Sequence, residues 1–555
     1  MTRDKAANTI GTNKLSRRSF VGGMASAAAA VGLGRCDLLA KNTSLMKKAE
    51  MKKADRSVPN VLLLFSDQHQ AACMGFEGHP DVMTPNIDKL AQQGTVFDRA
   101  YCQDGVCVPS RMSLMTGLYP RRLGVLHNPD KSSVVDEVVS LQSVFKANGY
   151  HTTAIGKRHL VGAADFDWDH HRSHLRKESP GKSYWEWIEE QGCLDEFKRD
   201  WGGEFGGKYP TADMATRISA LSEDKTMEAF TAQEVVKVIR QQKKRDNPFF
   251  CWASFYRPHQ PYNALKRYLD MYDYSAWGKG TVKGSAISKP LTLNQPMEQL
   301  PPALQKWRQG KNRVWRLDKA LADEQLFRFY IASYYALVTE IDHHIGTIMK
   351  ALKEEGIADD TIVVYTSDHG DFVGRHGMVE KCAIGHNVYE DTLRVPLVVS
   401  YPTAVKQGQR CNRLAEMFDL YPTLLDLAGI DYSQNRFPID AVSLVGNLSG
   451  TATTDRKYIV SENWSQASVI TDKHKLGIWL DLTAYAAGRD FRSFGDMLFD
   501  RKNDPDEINN VFDSPEYTKI QKQLGEYFDD FTSKVAATGK NEIIKRTQTK
   551  KHAKT

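Results

Sequence analysis

The chain has 555 residues, 41% of them hydrophobic and 26% charged, the proportions of a globular protein long enough to bury a sizeable core. Its 74 Lys and Arg against 68 Asp and Glu leave a formal charge of +6, part of it at the ends, in Lys47, Lys48, Lys52 and Lys53 and in Lys545, Arg546, Lys550, Lys551 and Lys554. A charge so modest and so placed excludes a nucleic-acid surface as the organising feature and reads as solvated tails.

In chain order, residues 1–50 read as a leader and linker. Ser16-Arg17-Arg18-Ser19-Phe20-Val21 precedes an alanine-rich stretch over 21–33 that is too short to span a bilayer, and the two together resemble a twin-arginine export signal. Cys36 follows Leu33-Gly34-Arg35, which departs from a lipoprotein box at the arginine. No later segment is apolar long enough to cross a membrane, so a periplasmic or secreted protein without stable membrane insertion is expected. The cysteines at 36, 73, 102, 107, 193, 251, 382 and 411 show no paired spacing, hence no disulfide framework and no CxxC metal site.

The continuous apolar run over 60–66 predicts a strand buried on both faces, and it stops at Asp67-Gln68-His69. Residues just past a strand's carboxyl end line the crevice of open α/β sheets, which makes that acid and amide site candidates. A helix opens at Thr84-Pro85 and closes near Gly94. Cys107-Val108-Pro109-Ser110-Arg111 then begins a helix running to about Leu118, and its first turn, with free N–H groups, partial positive charge and Arg111, favours an anion. A cysteine so placed is either a nucleophile of low pKa or a buried structural thiol, and local physics leaves both open.

Farther on, the spacing predicts a helix over 140–148, a strand over 151–155 ending in Gly156-Lys157-Arg158-His159, a helix over 226–242, and a strand over 249–255 ahead of Arg257-Pro258-His259. Residues 160–226 read as an irregular insertion in which Trp168, Trp185 and Trp187 either stack on sugars or pack on the loop itself. A second insertion runs to about 317, and a long helix over 324–355 turns Tyr330, Tyr334, Tyr335 and Ile341 to the core. A strand over 361–367 ends in Asp368-His369-Gly370-Asp371, with Lys381 beyond; another covers 395–400, and Asp419 is placed to cap a helix with Pro422 in its first turn. This alternation predicts an α/β domain over 58–441, a large doubly wound mixed sheet sandwiched by helices. Short antiparallel strands and a helix over 516–534 predict a small α+β subdomain over 442–535, followed by a basic tail over 536–555.

Cys107-x-Pro109-Ser110-Arg111, with Met115-Thr116-Gly117-Leu118-Tyr119-Pro120, resembles the signature of the type I, formylglycine-dependent sulfatases of the alkaline-phosphatase-like superfamily. Gly149-Tyr150-x-Thr152 through Gly156-Lys157 resembles their second signature, with Arg158 where an aromatic residue usually stands, and 442–535 resembles their C-terminal subdomain. The resemblance implies a sulfuric ester hydrolase in which a formylglycine-generating maturation enzyme converts Cys107 to 3-oxoalanine, whose hydrated aldehyde attacks sulfur. It implies a divalent ion on Asp67, Gln68, Cys107, Asp368 and His369. Ca2+ is expected first, with Mg2+ or Mn2+ open because Gln68 and His369 stand where many members carry Asp and Asn. By the same resemblance Lys157 and Lys381 grip the sulfate, Arg111 holds the hydrate, and His259 protonates the leaving alcohol. His159, backed by a carboxylate the sequence does not name, assists sulfate release. Export, aromatic and basic insertions, and a proton donor for a poor leaving group point to a sulfated carbohydrate, a polysaccharide or its oligosaccharides. A small-molecule arylsulfatase, a phosphonate monoester or phosphodiester hydrolase of the same fold, and a silent carbohydrate-binding protein stay open.

Overall fold

Strand β1 (Asn60–Asp67) is buried along its whole length. Its alternate side chains enter two cores, which is why the run is apolar without a break. Val61, Leu63 and Phe65 pack with Met112, Trp252 and Leu424 on one face of the sheet. Leu62 and Leu64 pack with Val235, Ile341 and Ile345 on the other. This computed structural model describes residues 58–128, 138–537 and 545–546, apart from 166, 176–177, 202–214, 243–246, 281–285, 303, 307, 310–316, 382–387, 434–438, 452–454, 464 and 482–494. The expected export signal, Cys36, Cys382 and most of the basic tail lie outside the described residues.

The remaining strands of the main sheet are β2 (Thr95–Tyr101), β3 (His151–Gly156), β4 (His170–Arg172), β5 (Phe249–Pro258), β6 (Thr361–Ser367), β7 (Leu397–Ser400) and β8 (Gln409–Glu416). Their order is β8-β2-β7-β6-β1-β5-β3-β4, and β7 alone runs against the rest. Helices cover both faces, among them α1 (Pro85–Gln92), α2 (Cys107–Thr116), α3 (Leu141–Ala147), α4 (Met227–Gln242), α5 (Glu324–Glu354) and α6 (Leu420–Leu427). The architecture is therefore the expected α/β sandwich. β1 and β6 pair in phase, from Asn60 against Thr361 to Ser66 against Ser367, so Asp67 and Asp368 leave neighbouring strands at one height.

Several expectations need correction. Strands β2, β4 and β8 have no counterpart in the sequence reading; β8 lies at one edge of the sheet with Arg410, Asn412 and Arg413 exposed, and β4 lies half-buried at the other. Trp168 belongs to the core, stacked 5.9 Å from Phe250 and 6.0 Å from Trp252, so the segment after 160 is not wholly an insertion. Trp185 and Trp187 pack on their own aromatic cluster of Tyr184, Phe197 and Phe230. Asp419 does not cap α6 with its side chain; it accepts from the Val442 and Glu416 N–H groups and pairs with Arg456.

The second sheet is an antiparallel meander of β9 (Ile459–Glu462), β10 (Gln466–Ile470), β11 (His474–Asp481) and β12 (Met497–Asp500), with Lys545–Arg546 paired to the end of β11. Helix α7 (Thr518–Lys534) lays Leu524, Phe528 and Phe531 on it, and the same apolar cluster takes in Tyr119 and Phe418 of the first sheet's surroundings. Among the described residues no helix is long and apolar enough to cross a membrane.

Candidate active site

The carboxyl ends of β1, β6, β3 and β5 meet the first turn of α2. Val106, extended at φ −124°, precedes the helix, and Cys107 is its first residue. Every residue of α2 is buried, and the helix closes at Gly117 in the left-handed region. On the neighbouring side Gly156 ends β3 at φ +92°, where a Cβ would stand 1.9 Å from the Ser254 carbonyl oxygen. Only glycine permits that approach, and it delivers Lys157, whose N–H donates to the same carbonyl at 2.9 Å.

Arg111 ties these ends together from within the protein. Its Nε donates to Asp368 Oδ2 at 2.8 Å and its Nη2 to Asp67 Oδ2 at 3.0 Å. Nη1 reaches the Lys157 carbonyl at 2.8 Å and Ser254 Oγ at 3.0 Å. Buried guanidinium is tolerable because each nitrogen finds an acceptor, two of them ionised. Lys157 Nζ also pairs with Asp67. Ser110 Oγ donates to the Asp368 carbonyl at 2.6 Å.

With those oxygens taken by cations, the remaining lone pairs face one another. One ligand atom each from Asp67, Cys107, Asp368 and His369 lies within 4.8 Å of all the others, and all four residues are buried. Cys107 Sγ is 3.3 Å from His369 Nε2 and 3.8 Å from Asp67 Oδ1, and His369 Nε2 is 3.6 Å from Asp368 Oδ1. His369 Nδ1 bonds the Gly370 carbonyl at 3.0 Å, so that nitrogen carries a hydrogen and Nε2 is the one turned inward. Two carboxylates, an imidazole and the Cys107 side chain form a donor set that fits a divalent cation.

The electrostatics follow from crowding. Burial pushes the Cys107 thiol up, but Lys157, Lys381 and His369, with a hydrogen bond from His159, bring it well below the usual thiol range. Burial and the Cys107 charge push Asp67 up, while Lys157, His259 and Arg111 pull it below the usual carboxylate range. Lys381, which burial would lower, is held above the ordinary lysine value by Cys107 and Asp67. His259 donates from Nδ1 to the Gln260 carbonyl at 2.7 Å and bonds Cys107; burial, then Lys381 and Lys157, push it down to about 4. His159 is half-buried in the left-handed region at φ 52°, and its Nδ1 has no hydrogen-bond partner among the described residues. The carboxylate expected behind it is thus missing among those residues. Arg158 turns away from the site to Asp165 at 3.2 Å.

Gln68 departs furthest from expectation. It also adopts the left-handed region, φ 66°, fixed by its N–H on Asp368 Oδ1 at 3.0 Å and by Tyr334 Oη donating to its carbonyl at 2.7 Å. Its Oε1 accepts from Lys381 Nζ at 2.6 Å, and its Nε2 donates to Asp371 Oδ2 at 2.6 Å and Tyr262 Oη at 3.2 Å. All ten residues singled out from the sequence thus gather at the strand ends. Ser254, Tyr262 and Asp371 were missed, and the second acid of Asp368-His369-Gly370-Asp371 was the one available signal.

Comparison with known proteins places this site in a family. An arylsulfatase of Clostridium perfringens is 27% identical over 83% of this chain and 91% of its own. An N-acetylglucosamine-6-O-sulfatase of Bacteroides thetaiotaomicron is 25% identical over 88% of each. The crystal structure of a phosphonate monoester hydrolase of Agrobacterium radiobacter superposes with a TM-score of 0.69 at 24% identity, covering 86% of this chain and 96% of that one, a likeness of fold. A C-terminal model, described as N-sulphoglucosamine sulphohydrolase, matches residues 374–534. The model described as Sulfatase matches residues 59–430, so the chain belongs to the sulfatase family of sulfuric ester hydrolases, within the alkaline-phosphatase-like superfamily.

Proposed function

We propose that the chain is exported, by the twin-arginine-type leader over 1–50, to the periplasm or beyond, and there hydrolyses sulfate esters of a carbohydrate. The observation that carries this reading is the meeting of Cys107 with Asp67, Asp368 and His369 in one buried group flanked by Lys157 and Lys381. The Bacteroides relative, named for a sugar sulfate, supports the substrate class.

Asp67, Asp368, His369 and position 107, with the Gln68 amide oxygen, would hold a divalent cation, Ca2+ first and Mg2+ or Mn2+ next. When bound, it supplies charge that polarises the ester and favours an ionised hydroxyl. Position 107, converted by a maturation enzyme to formylglycine, supplies that hydroxyl as an aldehyde hydrate. The chain's own residues do the rest. Lys157 and Lys381, buried cations whose charges both act on Cys107, bind the ester's anionic oxygens, where a dry site makes each charge count for more. Arg111 keeps Asp67 and Asp368 at fixed separation. His259 points its Nε2 inward, and an anion seated between the two ammonium groups removes the coulombic part of the push that keeps it unprotonated, so that it can donate to the leaving oxygen. His159 is placed to take a proton from position 107.

Two measurements test the proposal. Mass spectrometry of the peptide containing Cys107, from chain coexpressed with a formylglycine-generating enzyme, should show sulfur exchanged for oxygen with loss of two hydrogens. The matured chain should release sulfate from members of a panel of defined sulfated oligosaccharides. Conversion without release from any of them rejects the carbohydrate substrate. Faster hydrolysis of phosphonate monoesters or phosphodiesters moves the function to that class, and faster hydrolysis of nitrophenyl sulfate alone to a small-molecule arylsulfatase.

A further inference from the structure

Asp371 is a fully buried carboxylate that the chemistry above leaves without a task. Its Oδ2 accepts from Gln68 Nε2 at 2.6 Å and from Tyr262 Oη at 2.8 Å. Its Oδ1 accepts from the Val373 N–H at 2.8 Å and from Tyr330 Oη at 3.2 Å. A carboxylate has about four acceptor sites, and here all four are used by neutral donors. Among the described residues no cation pairs with it, so its charge is held by hydrogen bonds, which makes any donor it faces costly to withdraw.

The Gln68 side chain is caught between opposites. A carboxamide has one end that accepts and one that donates, with nearly the same shape, so its orientation is decided by its partners. Asp371, an acceptor, demands the NH2 end; Lys381, a donor without lone pairs, demands the oxygen. The left-handed backbone of Gln68 is pinned by Asp368 and Tyr334, so the side chain leaves from a fixed point.

We propose that Asp371 is a positioning residue that locks the Gln68 carboxamide with its oxygen turned to Lys381 and available to a cation held by Asp67, Cys107, Asp368 and His369. This rests on the reading that these residues bind a divalent cation. A carboxylate at position 68 would be incompatible with Asp371, because two like charges would meet where a hydrogen bond now stands.

The test is calorimetric titration of the full-length chain with Ca2+ alone, with Mn2+ as a second probe, read as Kd. Asp371→Asn frees the amide to turn and should weaken binding by about 10–100-fold, the usual cost of losing a group that orients a ligand. Gln68→Glu adds a negative charge to the site and, without Asp371 beside it, would tighten binding; with Asp371 in place it should not. In the double variant, Gln68→Glu with Asp371→Asn, the amide introduced at position 371 can donate to the carboxylate introduced at position 68, and binding should be at least about 10-fold tighter than in Asp371→Asn. Wild-type affinity in Asp371→Asn, tighter binding by Gln68→Glu alone, or a double variant no better than Asp371→Asn would each overturn the lock, as would a wild-type chain that binds neither ion. If Asp371→Asn does not fold, the Gln68→Glu result decides. Sulfate release plays no part in this readout, so the lock can fail while the proposed activity stands, and the reverse.

Discussion

The strand-end site and the junction beneath the second sheet both bury several charges, and they dispose of them in opposite ways. At the junction, Lys475 of β11 is fully enclosed between Glu390 Oε2 at 3.0 Å and Glu507 Oε1 at 2.5 Å. Glu390 Oε1 takes Arg501 Nη2 at 2.9 Å and Tyr101 Oη at 2.7 Å, and Glu507 Oε2 takes the Glu390 N–H at 2.8 Å. Each carboxylate oxygen there faces a donor, and Arg501, Lys475 and Arg394 together outweigh burial to keep Glu390 ionised. At the strand ends the cations sit on the outer oxygens, while Asp67 Oδ1, Cys107 Sγ and His369 Nε2 converge on one another. Closed pairing holds two sheets together, whereas converging acceptors are tolerated only where something positive belongs.

The largest expected effect tests the convergent side. Cys107→Ser and Cys107→Ala should each reduce sulfate release to background, because neither presents the thiol that the proposed maturation converts to the aldehyde. Both variants should stay folded, with a cooperative thermal transition, so that the loss is one of chemistry. Full turnover in either variant would reject the nucleophile. Next, His259→Ala should cost about 10²–10⁴-fold in kcat on a sugar or alkyl sulfate and far less on nitrophenyl sulfate, whose leaving group needs little protonation. Equal losses would argue against the acid role. At the paired side Lys475→Met takes the paired cation from Glu507 Oε1 and from Glu390 Oε2, and urea unfolding should show a loss of about 3–5 kcal/mol, while kcat of the folded fraction stays unchanged. A loss below about 1 kcal/mol would mean the junction is solvated and the contrast false.

The same contrast explains what was legible in the sequence. Strands β1, β5 and β6 announce themselves because both faces are covered, and the polar residues that end such apolar runs are the site. Edge strand β8 does not, since Gln409, Arg410, Asn412 and Arg413 alternate with little that is apolar. Gln68 was named as a ligand from its place in a pattern, but the direction of its amide depends on Asp371, Tyr262 and Lys381, which only folding brings beside it. The junction left no sequence signal, because Lys475, Glu390 and the pair Arg501 and Glu507 come from three separated segments and any one alone reads as solvated.

A third disposition of buried charge gives the smallest effect and the sharpest control. Glu340 of α5 is 2% exposed, its Oε1 lacks a hydrogen-bond partner among the described residues, and its surroundings are Glu228, Glu223, Arg257 and His344, the last at 4.0 Å. It has neither the counterions of the junction nor a place among converging ligands, so burial and then the Glu228 charge raise it from 4.5 to about 8 and it keeps its proton. His344 beside it, pushed down to about 4 by burial, stays neutral and offers no compensation. Between pH 4.5 and about 8 the folded chain therefore binds a proton at Glu340 that the unfolded chain has lost, and stability from this group falls as pH rises through that window. Glu340→Gln, a neutral isostere, should leave stability at pH 5 nearly unchanged and raise it at pH 8 by about 1–2 kcal/mol, read from urea unfolding at the two values. A variant that loses stability at pH 8 and not at pH 5 would show an ionised, paired Glu340, and would move this carboxylate into the company of Glu390.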